Sequence, residues 1–352
     1  MSKPRGRELG LRFPGQPGPY NAVTDVEGVL VGSTNIIESS AQIRTGVTAI
    51  LPRGFDRTMR PVWAGICSLN GNGEMTGSHW IADGGYFFGP ICLTNTHSVG
   101  IVHHGTTRWM IDHFPSFKAQ HAWALPVVAE TYDGTLNDIN GQHLSEIHVR
   151  QAIEGAKSGP VDEGNVGGGT GMVCYEFKGG TGTSSRTVGT HTVAALVQAN
   201  HGMRDWFTVL GVPVGKYLRE DLLYQREMGS IIVILATDAP MMPHQLQRLA
   251  RRATIGIGLH GTPGGNNSGD IFLAFSTANP FTRDELTSGT HRFEFLGDDM
   301  FDAYYMAAVQ ATEEAVINAM LAAEDMTTVR PEGKICRALN GDKLMKVMNV
   351  GR

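Results

Sequence analysis

The sequence predicts an α/β protein, one interleaved domain in which sheets are covered by helices. Three observations carry that expectation. Unbroken β-branched runs such as Ile231-Ile232-Val233-Ile234 read as fully buried strands. Helical patterns interleave with such runs along the chain. No linker, repeat or sharp change of composition divides the 352 residues, and 41% hydrophobic content supplies one large core or two ordinary ones.

The elements follow in order. After a Pro/Gly-rich lead-in, "NAVTDVEGVLVGSTNI" reads as a strand, a turn at Glu27-Gly28 and a second strand, and "TGVTAILPRG" as another. From Gly65 to Gly105 short β-type runs alternate with glycine and small polar residues, ending in "SVGIVHHGTTRWMIDHF". An apolar strand, Leu125 to Ala129, precedes a polar turn around Asp133-Gly134. "LSEIHVRQAIEGAKSG" sets Leu144, Ile147 and Ile153 as the apolar positions of a helix before a glycine stop. Glycines then punctuate two or three strands between 164 and 202. "PHQLQRLARRATIGIG" is a helix opened by Pro243 and closed near Gly256. "FDAYYMAAVQATEEAVINAMLAAEDM" is a long alanine-rich helix whose mostly apolar circumference implies deep burial.

Bulk properties exclude several functions. Glycine is the outlier at 45 residues, about twice average usage, which indicates many tight turns and close backbone approaches. A net charge of −5 and a pI near 6.2 leave no basic footprint for nucleic acid, so a small molecule or short peptide is the expected partner. Cys67, Cys92, Cys174 and Cys336 show no C-x-x-C spacing and read as buried free thiols, not as a zinc site or disulfide framework. The basic N-terminus has no apolar stretch behind it and no later segment is long and apolar enough to span a bilayer. A cytoplasmic enzyme without membrane partners is expected.

Most motif-like features have a bland reading. The glycine-rich 164–182 region lacks the G-K-[S/T] ending of a phosphate loop and reads as structural turns. "GIGLHG", 256–261, follows a helix, the wrong context for a dinucleotide fingerprint. His97, His103 and His104 lack a zincin spacing, and neighbouring histidines in extended backbone diverge, so neither metal nor cofactor is expected. No G-x-S-x-G elbow occurs. Ser268 and Asp270 in "GGNNSGDIFLAF" share a face at the start of a strand, as an Asx-stabilised turn or as delivered side chains. Asn200 either ends its element or aims an amide at a developing oxyanion. Ser230, after Gly229, either closes a loop or sits as a nucleophile at the tip of a strand.

"NAVTDVEGVLVG", "NGNGEMTG", "VVAETYDGTLND", "EGNVGGGTGM", "VQANHG", "GSIIVILATDAPMMPHQLQRLARR" and "SGDIFLAFSTAN", in this order, resemble one known family. It comprises the L-aminopeptidase/D-esterases and β-peptidyl aminopeptidases, the serine members of the group that contains ornithine acetyltransferase. The match runs from about residue 19 to about residue 325. The resemblance implies a four-layer α/β/β/α sandwich, similar to N-terminal-nucleophile hydrolases but with different connectivity. It also implies a single domain over 1–352 that cuts itself between Gly229 and Ser230 into 1–229 and 230–352, commonly assembled as a homotetramer of cleaved heterodimers.

The same resemblance assigns roles. Ser230 becomes the N-terminal nucleophile, and its freed amine, with a reference pKa of about 7.7–8.0, becomes the base. Ser268 and Asp270 match a Ser-x-Glu pair whose acid is here one methylene shorter. That acid is expected to fix the hydrogen-bond network and hold the substrate ammonium. Asn200 matches the oxyanion donor. Trp123 and Tyr132 match aromatic positions of the substrate pocket, with a core role as the other reading of Trp123. Gly229 is expected to admit a strained peptide geometry and leave its carbonyl open. The implied activity is self-cleaving aminopeptidase without cofactor or metal. The alternatives are acyl transfer of the ornithine acetyltransferase type, which Ser230 in place of threonine disfavours, and a non-catalytic scaffold.

Overall fold

How each strand divides its side chains between two faces sets the architecture. The structure is a computed structural model describing residues 3–224 and 226–350. In chain order its strands are β1 (Leu30–Glu38), β2 (Ile43–Leu51), β3 (Val62–Gly71), β4 (Tyr86–Phe87), β5 (Ile91–Asn95), β6 (Val127–Thr131), β7 (Val173–Cys174), β8 (Phe177–Lys178), β9 (Gly180–Val188), β10 (His191–Asn200), β11 (Ser230–Thr237) and β12 (Gly269–Ser276), with a late ribbon of β13 (Met326–Thr327) and β14 (Ile335–Cys336). The helices are α1 (Ser78–Gly84), α2 (Val99–His113), α3 (Ser116–Ala119), α4 (Glu146–Glu154), α5 (Pro243–Ala250), α6 (Ala253–Gly258), α7 (Arg283–Leu286), α8 (Phe301–Ala322) and α9 (Gly341–Val350).

Strands β1-β2-β5-β6 form one sheet and β4-β3-β12-β11-β10-β9 the other. Every residue of β11 is buried. Ile231, Val233 and Leu235 enter the core beneath α5, α6 and α8, whereas Ile232, Ile234 and Ala236 enter the core between the sheets. A third core, around Val47, Cys92, Trp109 and Ile153, lies between the smaller sheet and helices α2 and α4. Three stacked cores make four layers, and the α/β/β/α expectation holds. The continuous apolar run that begins after Ser230 is what a strand with a core on each face requires.

Several local expectations need correction. The segment from Val99 to His113 is a helix, not a run of short strands. The Asn95 side chain accepts the Ser98 N–H at 3.0 Å just before its start, and Val102, Gly105, Thr106, Trp109 and Met110 form its buried stripe at helical spacing. Its adjacent histidines therefore lie on helical faces, and His104 Nε2 is 2.9 Å from Glu146. In α4 the buried positions are Val149, Ala152 and Ile153, while Ile147 is exposed. The predicted first strand is a 3₁₀ turn, Val23–Asp25, whose Asp25 carboxylate accepts the N–H groups of Tyr20 and Ala22. Leu125 precedes β6 and is exposed. The helix from Pro243 breaks at Arg251-Arg252 into α5 and α6. The glycine-rich region is structural, as predicted: a Cβ at Gly168 would lie 2.1 Å from Gln198 Oε1 and 2.7 Å from the Leu93 carbonyl oxygen. Cys92, Cys174 and Cys336 are buried free thiols, and Cys67 is half-buried. Among the described residues no helix is long and apolar enough to cross a membrane.

Candidate active site

Register, not sequence proximity, assembles the site at one end of the larger sheet. Strand β10 runs antiparallel to β11 with Asn200 opposite Ser230, and β12 runs parallel to β11 with Asp270 opposite Ile231. On its other side β12 meets β3, where Asn70 pairs with Asp270 beside a bulge. Four chain segments distant in sequence thus deliver Ser230, Asn200, Asp270 and Asn70 to one corner.

Ser230 opens β11 and is 6% exposed. Its Oγ accepts the Gly269 N–H at 3.2 Å, leaving the hydroxyl hydrogen available for transfer. Ser268 Oγ donates to Asp270 Oδ1 at 2.6 Å, and Asn70 Nδ2 to Oδ2 at 3.3 Å. The shorter acid therefore reaches Ser268. Burial pushes the Asp270 carboxyl above the usual carboxylate range, against the bonds from Ser268, Asn70 and the Ile231 N–H.

The Asn200 amide is oriented from both ends. Its Oδ1 accepts the Val173 N–H at 2.8 Å and its Nδ2 donates to the Tyr132 carbonyl at 3.0 Å, which among the described residues leaves the second Nδ2 hydrogen uncommitted. Gly229 is required for room. A Cβ there would lie 2.0 Å from the Asn200 carbonyl oxygen and 2.7 Å from His201 Cα. Its φ lies outside the left-handed range, so the expected backbone strain gives way to close approach as the reason for glycine.

Ser230 forms part of the wall of a cavity of about 650 Å³, together with Tyr132, Glu130, Thr96, Glu74 and Met228. Glu130 was not among the sequence candidates. Its residue is 3% exposed, and its carboxylate accepts the Glu74 N–H at 2.9 Å and a bond from Thr96 Oγ1. Burial raises its pKa, and those two bonds oppose the rise. The cavity does not include Trp123. That side chain is 60% exposed, between α3 and β6, with the Arg283 guanidinium 5.8 Å from its ring centroid. It belongs neither to this cavity nor to a core. Another cavity, of about 590 Å³, lies near Lys3, Arg204 and Arg337 and holds none of the predicted residues.

The sequence profile of peptidase family S58 matches residues 21–333. The chain belongs to peptidase family S58. It is 49% identical over 352 residues to the β-peptidyl aminopeptidase BapA of Sphingosinicella microcystinivorans, covering 93% of this chain and 87% of the relative. A solved relative, the L-aminopeptidase D-Ala-esterase/amidase of Ochrobactrum anthropi, superposes with a TM-score of 0.94 at 54% identity and 99% coverage of both chains. That structure is described as a prototype for the serine aminopeptidases and a new variant of the Ntn-hydrolase fold. A Burkholderia β-aminopeptidase superposes with a TM-score of 0.90 at 43% identity and 99% coverage of both chains. This S58 peptidase is accordingly a hydrolase of the aminopeptidase, amidase and esterase group with an Ntn-type fold.

In the S58 chain, Glu130 and Tyr132 stand two residues apart in and just after β6, and both reach the cavity. An acid near the end of the apolar run "VVAETYDG" was the available signal. Nothing in the spacing said that this acid would share a cavity with Ser230.

Proposed function

We propose that the protein is a serine aminopeptidase that first cuts its own Gly229–Ser230 bond and then releases N-terminal residues from short peptides, amides and esters. The observation that carries this reading is one cavity walled by both the Ser230 side chain and the buried Glu130 carboxylate. A nucleophile beside a buried anion suits a substrate whose scissile carbonyl lies close to a free ammonium. Glu130 lines the cavity that Ser230 opens into and Asp270 does not, so Glu130 takes the ammonium role expected of Asp270.

In self-cleavage Ser230 Oγ adds to the Gly229 carbonyl carbon, the C–N bond to Ser230 breaks as the ester forms, and the hydroxyl proton passes to the departing nitrogen. Water hydrolyses the ester, leaving a carboxylate on Gly229 and a free amine and hydroxyl on Ser230. That amine, with a reference pKa of about 7.7–8.0, then takes the Oγ proton in each attack on substrate and returns it to the leaving group. Water resolves the acyl-enzyme. Asp270 and Ser268, one register position from Ser230, orient the amine. The uncommitted Asn200 hydrogen receives the oxyanion.

An aminoacyl p-nitroanilide tests the reading against its N-acetylated derivative. Release of nitroaniline is expected only from the free amine, and equal turnover of both would remove the basis for Glu130 as an ammonium site. Asn200→Ala, matured to the cleaved form, is expected to lower kcat by about 10²–10³ with little change in KM. Gly229→Ala is expected to slow self-cleavage roughly a hundredfold, because the added methyl must push the scissile carbonyl away from β10 by the order of an ångström. Denaturing electrophoresis against time reads that delay directly.

A further inference from the structure

Between Arg226 and Met228, both on the wall of the Ser230 cavity, the Glu227 carboxyl turns inward. Its Oε1 accepts the Gly229 N–H at 3.1 Å and the Gly202 N–H at 2.9 Å. Its Oε2 is shut off from solvent and has no partner among the described residues. The aliphatic stem packs on Gly265, where a Cβ would lie 2.5 Å from Glu227 Cγ. The Gly265 carbonyl in turn accepts the Ser268 N–H at 2.9 Å and Asn70 Nδ2 at 3.1 Å. One side chain therefore ties together the segment before the cut, the end of β10 beyond Asn200 and the turn that carries Ser268.

We propose that Glu227 is a positioning residue for self-cleavage, holding the Gly229 amide so that the Gly229 carbonyl stays in reach of Ser230 Oγ. The inference rests on the self-cleavage reading above. The geometry gives the reason: the described residues 221–224 and 226–229 form no helix or strand, so the Gly229 amide next to the scissile carbonyl needs a side chain to hold it. Burial, the largest influence, and the nearby Asp270 raise the Glu227 pKa against the two N–H bonds, so a neutral isostere is compatible with the site. In turnover the substrate brings its own carbonyl, and Glu227 has no part to play. Its effect is confined to the precursor.

The test follows freshly translated precursor by denaturing electrophoresis for wild type, Glu227→Gln and Glu227→Ala. Glu227→Ala is expected to cut roughly ten- to a hundredfold more slowly. Glu227→Gln, whose amide oxygen still accepts both N–H bonds, is expected to stay within about threefold of wild type. Once fully cut, Glu227→Ala is expected to hydrolyse an aminoacyl p-nitroanilide with kcat/KM within about threefold of wild type. The same substitution in a Ser230→Ala background, monitored by thermal unfolding, separates positioning from loss of fold: an unchanged Tm supports positioning and a collapsed Tm overturns it. Wild-type precursor that never cuts overturns self-cleavage and this role with it. Wild type that cuts beside an equally fast Glu227→Ala overturns this role alone. Equal slowing of the Gln and Ala variants, or equal loss of cleavage and turnover, does the same.

Discussion

Replacing Ser230 by alanine is expected to yield one uncut 352-residue chain with no measurable aminopeptidase activity. Both outcomes have one cause, the loss of the oxygen that attacks first the Gly229 carbonyl and then the substrate. The fall in kcat is expected to be about 10⁶-fold, the scale seen when a serine nucleophile is removed while the rest of the site stays in place. The fold is expected to persist. Among the described residues Ser230 Oγ makes one bond, accepting the Gly269 N–H at 3.2 Å, and the strand behind it is held by apolar cores on both faces. Intact-mass analysis and circular dichroism of the purified variant check the two halves of the prediction. A cut Ser230→Ala chain would show that another group attacks Gly229. An uncut but active one would show that a free amine at residue 230 is not the base.

What could be read in advance follows the range of the interactions involved. The β11 run and the long α8 helix are local patterns, and both are found where periodicity placed them. Ser268 and Asp270 share a face because they are two residues apart in extended backbone, and their 2.6 Å bond follows from that spacing. Asn200 opposite Ser230 is a fact of register between strands joined by a long connection, and only the family resemblance suggested it. Helix α2 was hidden because glycines and histidines interrupt its apolar stripe, which becomes visible only when α4 covers it. Trp123, which the family resemblance places at a substrate-pocket position, stands outside the Ser230 cavity in this chain, and its exposure depends on how residues 120–126 cross the surface, which no periodicity encodes. Glu130 was missed because a buried acid acquires meaning only from what shares its cavity, here a serine 100 residues further along the chain.

Glu130→Gln is expected to lower kcat/KM for free-amine substrates roughly thirtyfold to several-thousandfold, mostly through KM, since removing one partner of a buried charged pair costs about 2–5 kcal/mol. Self-cleavage needs no ammonium in that place and is expected to proceed, so the loss is separable from maturation. The pH profile gives a sharper signature. The carboxyl is pushed above the usual range chiefly by burial, and its folded-state pKa exceeds its unfolded one. In the free enzyme it therefore loses charge as pH falls through that raised value. Log kcat/KM for wild type is expected to reach a slope of about two at acid pH, where both the Ser230 amine and Glu130 hold protons. The Gln variant is expected to keep a slope of about one throughout. Stability responds in the opposite sense. A raised folded pKa favours the folded state while the carboxyl holds its proton, and that contribution is lost as pH rises through the folded value. Glu130→Gln is thus expected to unfold at a higher temperature than wild type in alkaline buffer, with the difference shrinking toward acid pH. A variant that was less stable and less active together would mark Glu130 as a structural acid. One that gained stability while losing its grip on ammonium substrates would show that the buried charge is retained for binding at the expense of the fold.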